Sequence, residues 1–423
     1  MRGGPDSRLT LFNHAMSTLL LFALLGARLN WATSPLTGDS KTDLAGLLAD
    51  RFGRDATKAA VAGQRLMQIP FTPSARDLAW SAWKEADDSD LRAEFDANTV
   101  KTADRRSPFL WRTVGTKPGN GWGLVIAMHG GGGVPAKEND AEWRWMFDQY
   151  YLDHPESGGY VHLALRAPND DWNGFYDDAI SPLVERLIQM FVKYGSVDPN
   201  RVYACGASHG GYGAFVIGPK IPYRFAAVHP AASAPSDGQT QGENLRNLRF
   251  TWAVGERDTE YGRVTRARAF EKQWLDWRSQ YGGFDGGFEE VKGADHFIKQ
   301  HEENKLAELL KFRRTPNPKR VIWVQSDDRL HRSYWIEAVK PSVGGRIDAE
   351  VRGNVITLKT QKQDTVAIWL SSDLVDLHKP LEVIRDGKRT RFPLRPSLGV
   401  FCDGLAQTAD PWLAAPIRLE IRP

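Results

Sequence analysis

The sequence has only two cysteines among its 423 residues, Cys205 and Cys402. So few cysteines exclude a disulfide-stabilised scaffold, and the stability of the fold must therefore come from a buried apolar core. Cys205 lies in a run that is predicted to form a buried strand. We expect no disulfide between the two thiols, which should pack as small apolar groups.

An excess of charge of one sign is also absent. The chain has 55 Lys and Arg against 52 Asp and Glu, which gives a net charge of +3. The basic residues are scattered, and the pairs Arg313-Arg314 and Lys388-Arg389 suit a linker and a strand surface. We therefore expect no nucleic-acid partner.

Two motifs that indicate metal or nucleotide binding are missing from the sequence. The sequence contains neither the zinc-binding pattern HExxH nor the phosphate loop GxxxxGK[ST]. We therefore expect no metal ion and no cofactor.

The N-terminus has no apolar run as long as the roughly 20 residues that a membrane-spanning helix requires. It carries Arg2 and Arg8, then a short apolar core that includes residues 19–25, and then small residues. This order predicts a signal peptide over residues 1–34 and a secreted or periplasmic protein without stable membrane insertion after cleavage. An uncleaved anchor is the weaker alternative, and no cysteine follows that would indicate a lipoprotein.

The most informative motif is Gly206-Ala207-Ser208-His209-Gly210. It follows the apolar run 202–205 and precedes a helix predicted over residues 211–218. A sharp turn between a strand and a helix exposes a serine hydroxyl to a base, and the flanking glycines permit that turn. Ser208 is therefore the candidate nucleophile.

Short apolar runs alternate with amphipathic segments from residue 108 to residue 254. This alternation predicts an α/β fold, with a mostly parallel sheet flanked by helices. Residues 179–194 have the apolar spacing of a crossover helix. The predicted strands lie at residues 109–111, 124–128, 161–165, 202–205, 225–228 and 250–254.

Changes of pattern divide the rest of the chain. We expect a helical N-terminal extension over residues 35–105, a catalytic domain over 106–314 and a C-terminal all-β sandwich domain over 320–423. The last boundary rests on a proline-rich stretch, and the sandwich rests on serial hairpin signals with turns at 352–354 and 386–387.

A glycine-rich loop, His129-Gly130-Gly131-Gly132-Gly133, directly follows the strand at 124–128. Glycines let backbone amides point at a developing negative oxygen. We expect Gly130 or Gly131 to donate one oxyanion hydrogen bond, and the amide of His209 to donate the other. The side chain of His129 is a candidate substrate contact.

The general base should be a histidine after the last strand of the sheet, and His296 has that position. His301 lies in the following helix, and His331 lies beyond the proline-rich linker. Neither has the expected place in the chain, and His129 precedes the nucleophile.

The acid that orients the base should follow the preceding strand, where Asp258 stands after the run 250–254. Glu256 is the near alternative, and Asp295 could merely cap the His296 loop. The order serine, acid, histidine is that of α/β-hydrolases.

Aromatic residues near the nucleophile suggest a substrate pocket. Trp172 and Tyr212 are the candidate substrate contacts, although a hydrophobic plug is an equally good interpretation of Trp172. We expect Trp143 and Trp145 to serve packing.

These motifs resemble those of secreted α/β-hydrolases of the polyhydroxybutyrate depolymerase, feruloyl esterase and phospholipase/carboxylesterase type. The resemblance covers about residues 105–312 and rests on the glycine loop, the serine elbow, Asp258 and His296. It implies an α/β-hydrolase fold and a serine hydrolase. His209 departs from the methionine or other apolar residue usual after the serine, and this change could alter the pocket or the charge near the oxyanion. The C-terminal β-domain lies outside the resemblance.

The sequence thus predicts a secreted serine hydrolase that cleaves carboxylic esters through an acyl-enzyme on Ser208. Its partner would be a small-molecule or polymer ester, including esters linked to carbohydrate. A prolyl-oligopeptidase-like peptidase is one alternative, although that family usually carries a β-propeller before the catalytic domain. A noncatalytic binding protein on a hydrolase scaffold is the other.

Overall fold

Four helices begin the described part of the chain, which is residues 38–423 of this computed structural model. The predicted signal peptide lies outside the described residues. The helices α2, α3 and α4 begin after Asp55, Thr72 and Asp88, whose side-chain oxygens accept hydrogen bonds from first-turn amides. The helices are α1 Gly38–Phe52, α2 Ala56–Leu66, α3 Pro73–Glu85, α4 Ser89–Asp96, α5 Ala136–Trp145, α6 Ile180–Lys193, α7 His209–Lys220, α8 Arg263–Tyr281, α9 Lys299–Glu302, α10 Lys305–Leu309 and α11 Leu398–Thr408.

An eight-stranded sheet forms the centre of the molecule. Its spatial order is β1-β2-β4-β3-β5-β6-β7-β8, and every pairing from β4 to β8 is parallel, whereas β2 runs antiparallel to β4. The strands are β1 Thr99–Lys101, β2 Arg106–Val114, β3 Trp122–Met128, β4 Tyr160–Leu165, β5 Val197–Ala207, β6 Ala227–Ala231, β7 Arg249–Gly255 and β8 Gly286–Val291. This is the α/β-hydrolase fold, as predicted.

A strand occurs at each predicted position and α6 is the predicted crossover helix, although β2 and β5 are much longer than predicted. β3, β4 and β5 are buried along almost their whole length, as continuous apolar runs in a parallel sheet require. α6 buries the apolar face that its spacing predicts, and its Phe191 packs edge-on against Phe109 of β2. Because β3, β5, β7 and β8 are parallel, their carboxyl ends lie at one edge of the sheet, where ligands bind in open α/β folds.

Two further sheets follow the eight-stranded sheet along the chain. A five-stranded sheet has the order β16-β15-β13-β12-β9, and a four-stranded sheet has the order β10-β11-β14-β17. Their strands are β9 Arg320–Val324, β10 Arg332–Ser333, β11 Ile336–Ala338, β12 Arg346–Arg352, β13 Val355–Gln361, β14 Val366–Leu370, β15 Leu381–Arg385, β16 Lys388–Phe392 and β17 Ile417–Ile421. The hairpins β12–β13 and β15–β16 turn where the sequence predicts.

Helix α11 lies between two of the C-terminal strands, and the sequence does not predict this helix. It begins after Ser397, whose hydroxyl donates to the carbonyl of Met67 at 3.0 Å. The amide of Leu398 donates to the carbonyl of Ile69 at 2.9 Å. Helix α11 therefore packs against the N-terminal helices α2 and α3, and the last strands do not stand apart from the first helices.

Both cysteines are buried and free, as predicted. Burial raises the pKa of each thiol to about 12, so neither is a reactive thiolate at neutral pH. Among residues 38–423, no helix combines the length and apolarity that crossing a bilayer demands. The same residues contain no cluster of three or more His, Cys, Asp or Glu side chains arranged to hold a metal ion.

Candidate active site

Ser208 occupies a strained turn between β5 and α7. Its backbone has φ +54° and ψ −116°, which an L-residue rarely adopts, and its amide donates to the carbonyl of Ala231 at 3.0 Å. A methyl group on Gly206 would collide with the backbone of Gly210, and one on Gly210 would collide with the carbonyl of Met128. The turn therefore requires glycine at both positions, and it holds Ser208 partly exposed at the carboxyl edge of the sheet.

The structure brings Ser208, His296 and Asp258 together. Nε2 of His296 lies 3.0 Å from Oγ of Ser208, and Nδ1 of His296 lies 2.8 Å from Oδ2 of Asp258. The three residues follow β5, β7 and β8, so the parallel sheet assembles them from positions 88 and 38 residues apart. This is the geometry of a nucleophile, a base and an orienting acid.

The alternative acids lie elsewhere. The carboxylate of Glu256 accepts hydrogen bonds from the amide of Gly293 at 2.8 Å and from Lys292 at 3.3 Å, on the protein surface. Asp295 accepts from the amide of Phe297 at 3.1 Å and caps the loop. Neither carboxylate makes a hydrogen bond or ion pair with the His296 ring, which pairs with Asp258.

Arg263 holds Asp258 from the other side. Its Nη1 lies 2.7 Å from Oδ1 of Asp258, and both side chains are almost fully buried. Burial alone would raise the pKa of Asp258, but hydrogen bonds from His296 and Arg263 outweigh it and lower that pKa below its usual value. Asp258 is therefore ionised at neutral pH, as an orienting acid must be.

The predicted oxyanion loop lies against the serine. Gly130 and Gly131 line the same cavity as Ser208 and His296. The amide of Gly132 is bound to Oδ1 of Asn139 at 2.9 Å, and the amide of Gly210 is bound to the carbonyl of His129 at 2.8 Å. These two hydrogen bonds hold the loop in place, and they occupy the amides of Gly132 and Gly210.

The side chain of His129 does not reach the cavity. It is fully buried, and its Nε2 accepts a hydrogen bond from the amide of Ala167 at 3.0 Å. Its Nδ1 donates to the carbonyl of Gly130 at 2.6 Å, so the neutral ring ties the loop to the end of β4. Burial lowers the pKa of His129 to about 3. The side chain of His129 therefore supports the glycine loop. It lies outside the Ser208 cavity, although the sequence suggested that it contacts the substrate.

The side chain of His209 lies under an aromatic cover. Its Nε2 donates to the carbonyl of Trp172 at 3.1 Å, and the two rings stack with centroids 6.0 Å apart. Burial lowers the pKa of His209 to about 4, so the ring is neutral at neutral pH. It therefore brings no positive charge to the oxyanion, and its departure from the usual apolar residue alters packing instead.

Trp172 and Tyr212 line a different depression from the one that contains Ser208. Together with Tyr261 and Arg266 they border an open cavity of about 220 Å³. Trp172 is 41% exposed, which does not suit a buried plug. It covers His209, next to the nucleophile, and stands at the edge of this second cavity.

The cavity at Ser208 has a volume of about 230 Å³ and includes residues that sequence reasoning missed. Trp143 packs in the core as expected, and its Nε1 donates to the carbonyl of Ala164 at 2.9 Å. Trp145 differs from expectation, because it lines the cavity together with Glu142 and Phe297. Glu142 and Trp145 are three residues apart on α5, a spacing that places two side chains on one face and that could have revealed them.

No protein-family model matches the sequence, and a search of curated proteins found no match. Solved structures do match, each over about half of this chain. One is a thermostable esterase, with 22% identity, a TM-score of 0.40 and coverage of 51% of this chain and 62% of that chain. Another is the poly(3-hydroxybutyrate) depolymerase LpqC from Bordetella parapertussis, with 20% identity, a TM-score of 0.38 and coverage of 49% and 84%. A third is the siderophore hydrolase EstA from Aspergillus nidulans, with 14% identity, a TM-score of 0.35 and coverage of 51% and 95%.

Proposed function

We propose that this chain, an α/β-hydrolase by its fold, is a serine hydrolase that cleaves carboxylic esters. One observation carries the proposal: a serine in a strained turn lies 3.0 Å from a histidine that itself lies 2.8 Å from a buried carboxylate. Nucleophilic acyl transfer needs these three groups in this order.

In the proposed reaction, Nε2 of His296 takes the hydroxyl proton as Oγ of Ser208 attacks the ester carbonyl. The carbonyl π electrons move to its oxygen and form a tetrahedral oxyanion. The amides of His209 and of Gly130 or Gly131 would donate hydrogen bonds to that oxygen. When the intermediate collapses, the alcohol leaves with the proton from His296, and the acyl group remains on Ser208.

Deacylation repeats these steps with water. His296 removes a proton from water, the hydroxide attacks the acyl-enzyme, and the carboxylic acid leaves as Ser208 recovers its proton. Asp258 stabilises the imidazolium in both halves of the reaction, and Arg263 keeps that carboxylate ionised and oriented. No metal or cofactor takes part in the proposed steps.

The substrate would be a small-molecule or polymer ester, because the cavity beside Ser208 is open to solvent and Phe297 at its border is 67% exposed. Trp172 and Tyr212 would contact the part of a larger substrate that extends past His209.

We further propose that the chain divides into a helical extension, a catalytic domain and a C-terminal β-domain. We also propose that the protein is secreted or periplasmic after removal of the signal peptide.

The test is hydrolysis of p-nitrophenyl acetate, butyrate and octanoate and of methyl ferulate by the wild type and by Ser208→Ala. We expect turnover of at least one ester, and a loss of several orders of magnitude in the variant. Ser81→Ala, at an exposed serine on α3, is the matched control and should keep full activity.

Labelling with a fluorophosphonate separates the alternatives. We expect wild type to be labelled and Ser208→Ala to remain unlabelled. Cleavage of aminoacyl amides without cleavage of esters would support a peptidase instead. A wild type that neither labels nor hydrolyses any of these substrates would support a noncatalytic binding protein.

A further inference from the structure

A carboxylate that the proposed reaction does not use lies in the catalytic cavity. Glu142, on α5, lines the cavity together with Ser208 and His296. Its Oε2 would be only 3.1 Å from a methyl group placed on Gly130, so it borders the oxyanion loop. A substrate bound for attack by Ser208 therefore passes beside this carboxylate.

Glu142 has no ionic partner within residues 38–423. The carboxylate makes no hydrogen bond or ion pair with these residues. Burial raises its pKa above the usual value. Among the residues that line the cavity the one Lys or Arg is Lys299, whose Nζ lies 3.8 Å from Glu303. A half-buried carboxylate without a counter-charge is costly to keep ionised, and a cation placed beside it would lower that cost.

Aromatic rings complete the same wall. Trp145 and Phe297 stack with centroids 5.9 Å apart and an interplanar angle of 22°, and Tyr150 meets Trp145 edge-on at 5.1 Å. All three line the cavity. Ring faces attract alkylammonium groups, and a carboxylate beside several rings is the usual composition of a site for such a cation.

We propose that the catalytic cavity contains a cation subsite formed by Glu142, Trp145, Tyr150 and Phe297, which selects esters that carry an alkylammonium group. This inference rests on the proposed ester hydrolase function and names its substrate class. The alkylammonium group could belong to the acyl part or to the alcohol part of the ester, and the experiment distinguishes these two sources.

The test compares isosteric substrates that differ in charge alone. For the alcohol part the pair is acetylcholine and 3,3-dimethylbutyl acetate. For the acyl part it is the p-nitrophenyl esters of 4-(trimethylammonio)butanoic acid and 5,5-dimethylhexanoic acid. In the wild type we expect kcat/KM to favour the cationic member of at least one pair by about tenfold or more.

Glu142→Gln should reduce that preference to about one, because kcat/KM for the cationic ester should fall more than kcat/KM for the neutral ester. Glu138→Gln, at an exposed carboxylate on the same helix, is the matched control and should keep the wild-type preference. Equal loss on both members of a pair would overturn the subsite, because it would make Glu142 a support for the oxyanion loop.

A binding measurement keeps this inference separate from the proposed function. Calorimetric titration with phenyltrimethylammonium should show saturable binding to the wild type and at least tenfold weaker binding to Glu142→Gln. Neutral esters hydrolysed without any preference for the cation, or titration without saturable binding, would refute the subsite alone. Saturable binding by a protein that hydrolyses no ester would refute the proposed function and leave the subsite standing.

Discussion

Arg263 and Asp258 form a buried ion pair with Nη1 and Oδ1 2.7 Å apart, on the side of the carboxylate away from His296. Arg263 is the first residue of α8, and Asp258 lies in the loop between β7 and α8. The guanidinium thus fixes the carboxylate in one orientation and leaves Oδ2 for the imidazole. In this arrangement Arg263 acts as a positioning residue for the base.

Replacing Arg263 with Gln should reduce kcat/KM by about tenfold to a hundredfold, in the range that loss of an orienting partner causes. Because Arg263 helps to lower the pKa of Asp258, its removal raises that pKa. The acid limb of the pH profile, where protonation of Asp258 removes activity, should therefore move to higher pH. Arg268→Gln, at a half-exposed arginine on the same helix, should change neither quantity. An unmoved acid limb in Arg263→Gln would contradict the positioning role.

The serine turn should not tolerate a methyl group at Gly210. The added carbon would collide with the carbonyl of Met128, so Gly210→Ala should lower the free energy of unfolding by roughly 3 kcal/mol or more and remove hydrolysis. Gly119→Ala is the matched control, because nothing lies within 4 Å of its added carbon. Urea unfolding should show the control within about 0.5 kcal/mol of the wild type. A Gly210→Ala protein with normal stability and activity would mean that the turn has another shape.

Asn139 should support the oxyanion loop from behind. Its buried amide accepts from the amide of Gly132 at 2.9 Å and donates to Val134 and Asp170 at 3.1 and 2.9 Å. Asn139→Ala should lower kcat by about 10- to 100-fold with a small change in KM, because the loop donates to the transition state more strongly than to bound substrate. Lys137→Ala, at an exposed position on the same helix, is the control. A rise in KM without a fall in kcat would refute this role.

Glu289 should make the fold sensitive to acid. Burial would raise its pKa, but hydrogen bonds from His301 and Lys305 outweigh it and lower the pKa from 4.5 to about 2. The carboxylate therefore stabilises the fold at pH above about 4.5, and this contribution is lost as pH falls from there towards 2. Glu289→Gln should cost about 2 kcal/mol at pH 7, and the difference from wild type should fade across that window. Urea unfolding as a function of pH measures both.

A neighbouring carboxylate serves as the control for that experiment. Glu308 lies 3.1 Å from the same Lys305 but is 55% exposed. Solvent screens such a pair, so Glu308→Gln should change the free energy of unfolding by less than about 1 kcal/mol. A difference between wild type and Glu289→Gln that stays constant from pH 7 to pH 3 would exclude the carboxylate as its source.

The sequence predicts the central sheet and the grouping of Ser208, Asp258 and His296 because these depend on local and ordered signals. Three kinds of pattern can be recognised in the sequence: glycines around a serine, apolar runs that alternate with helices, and loops that follow successive strands. Parallel pairing then brings the loops to one edge of the sheet. The position of Asp258 could be chosen over that of Glu256 on these grounds.

Other parts of the site depend on contacts that the chain order does not encode. Arg263 reaches Asp258 from the first turn of α8, and Trp145 lines the cavity from the end of α5, directly before the π-helical turn Met146–Tyr150. His129 looks available in the sequence, and its burial follows from the approach of Ala167. Helix α11 was missed although Ser397 is a good N-cap, because the surrounding hairpin signals favoured strands throughout.

The attachment of α11 to α2 and α3 has a consequence for how the polypeptide acquires its structure during synthesis. The hydrogen bond between Ser397 and Met67 closes a loop of 330 residues, and Arg51 pairs with Asp403 at 2.9 Å across a similar separation. Closing so long a loop is entropically costly and slow. Helices α2 and α3 can therefore make this contact only after residues 398–408 have been made, and ending the chain before α11 would leave these two helices without their cover.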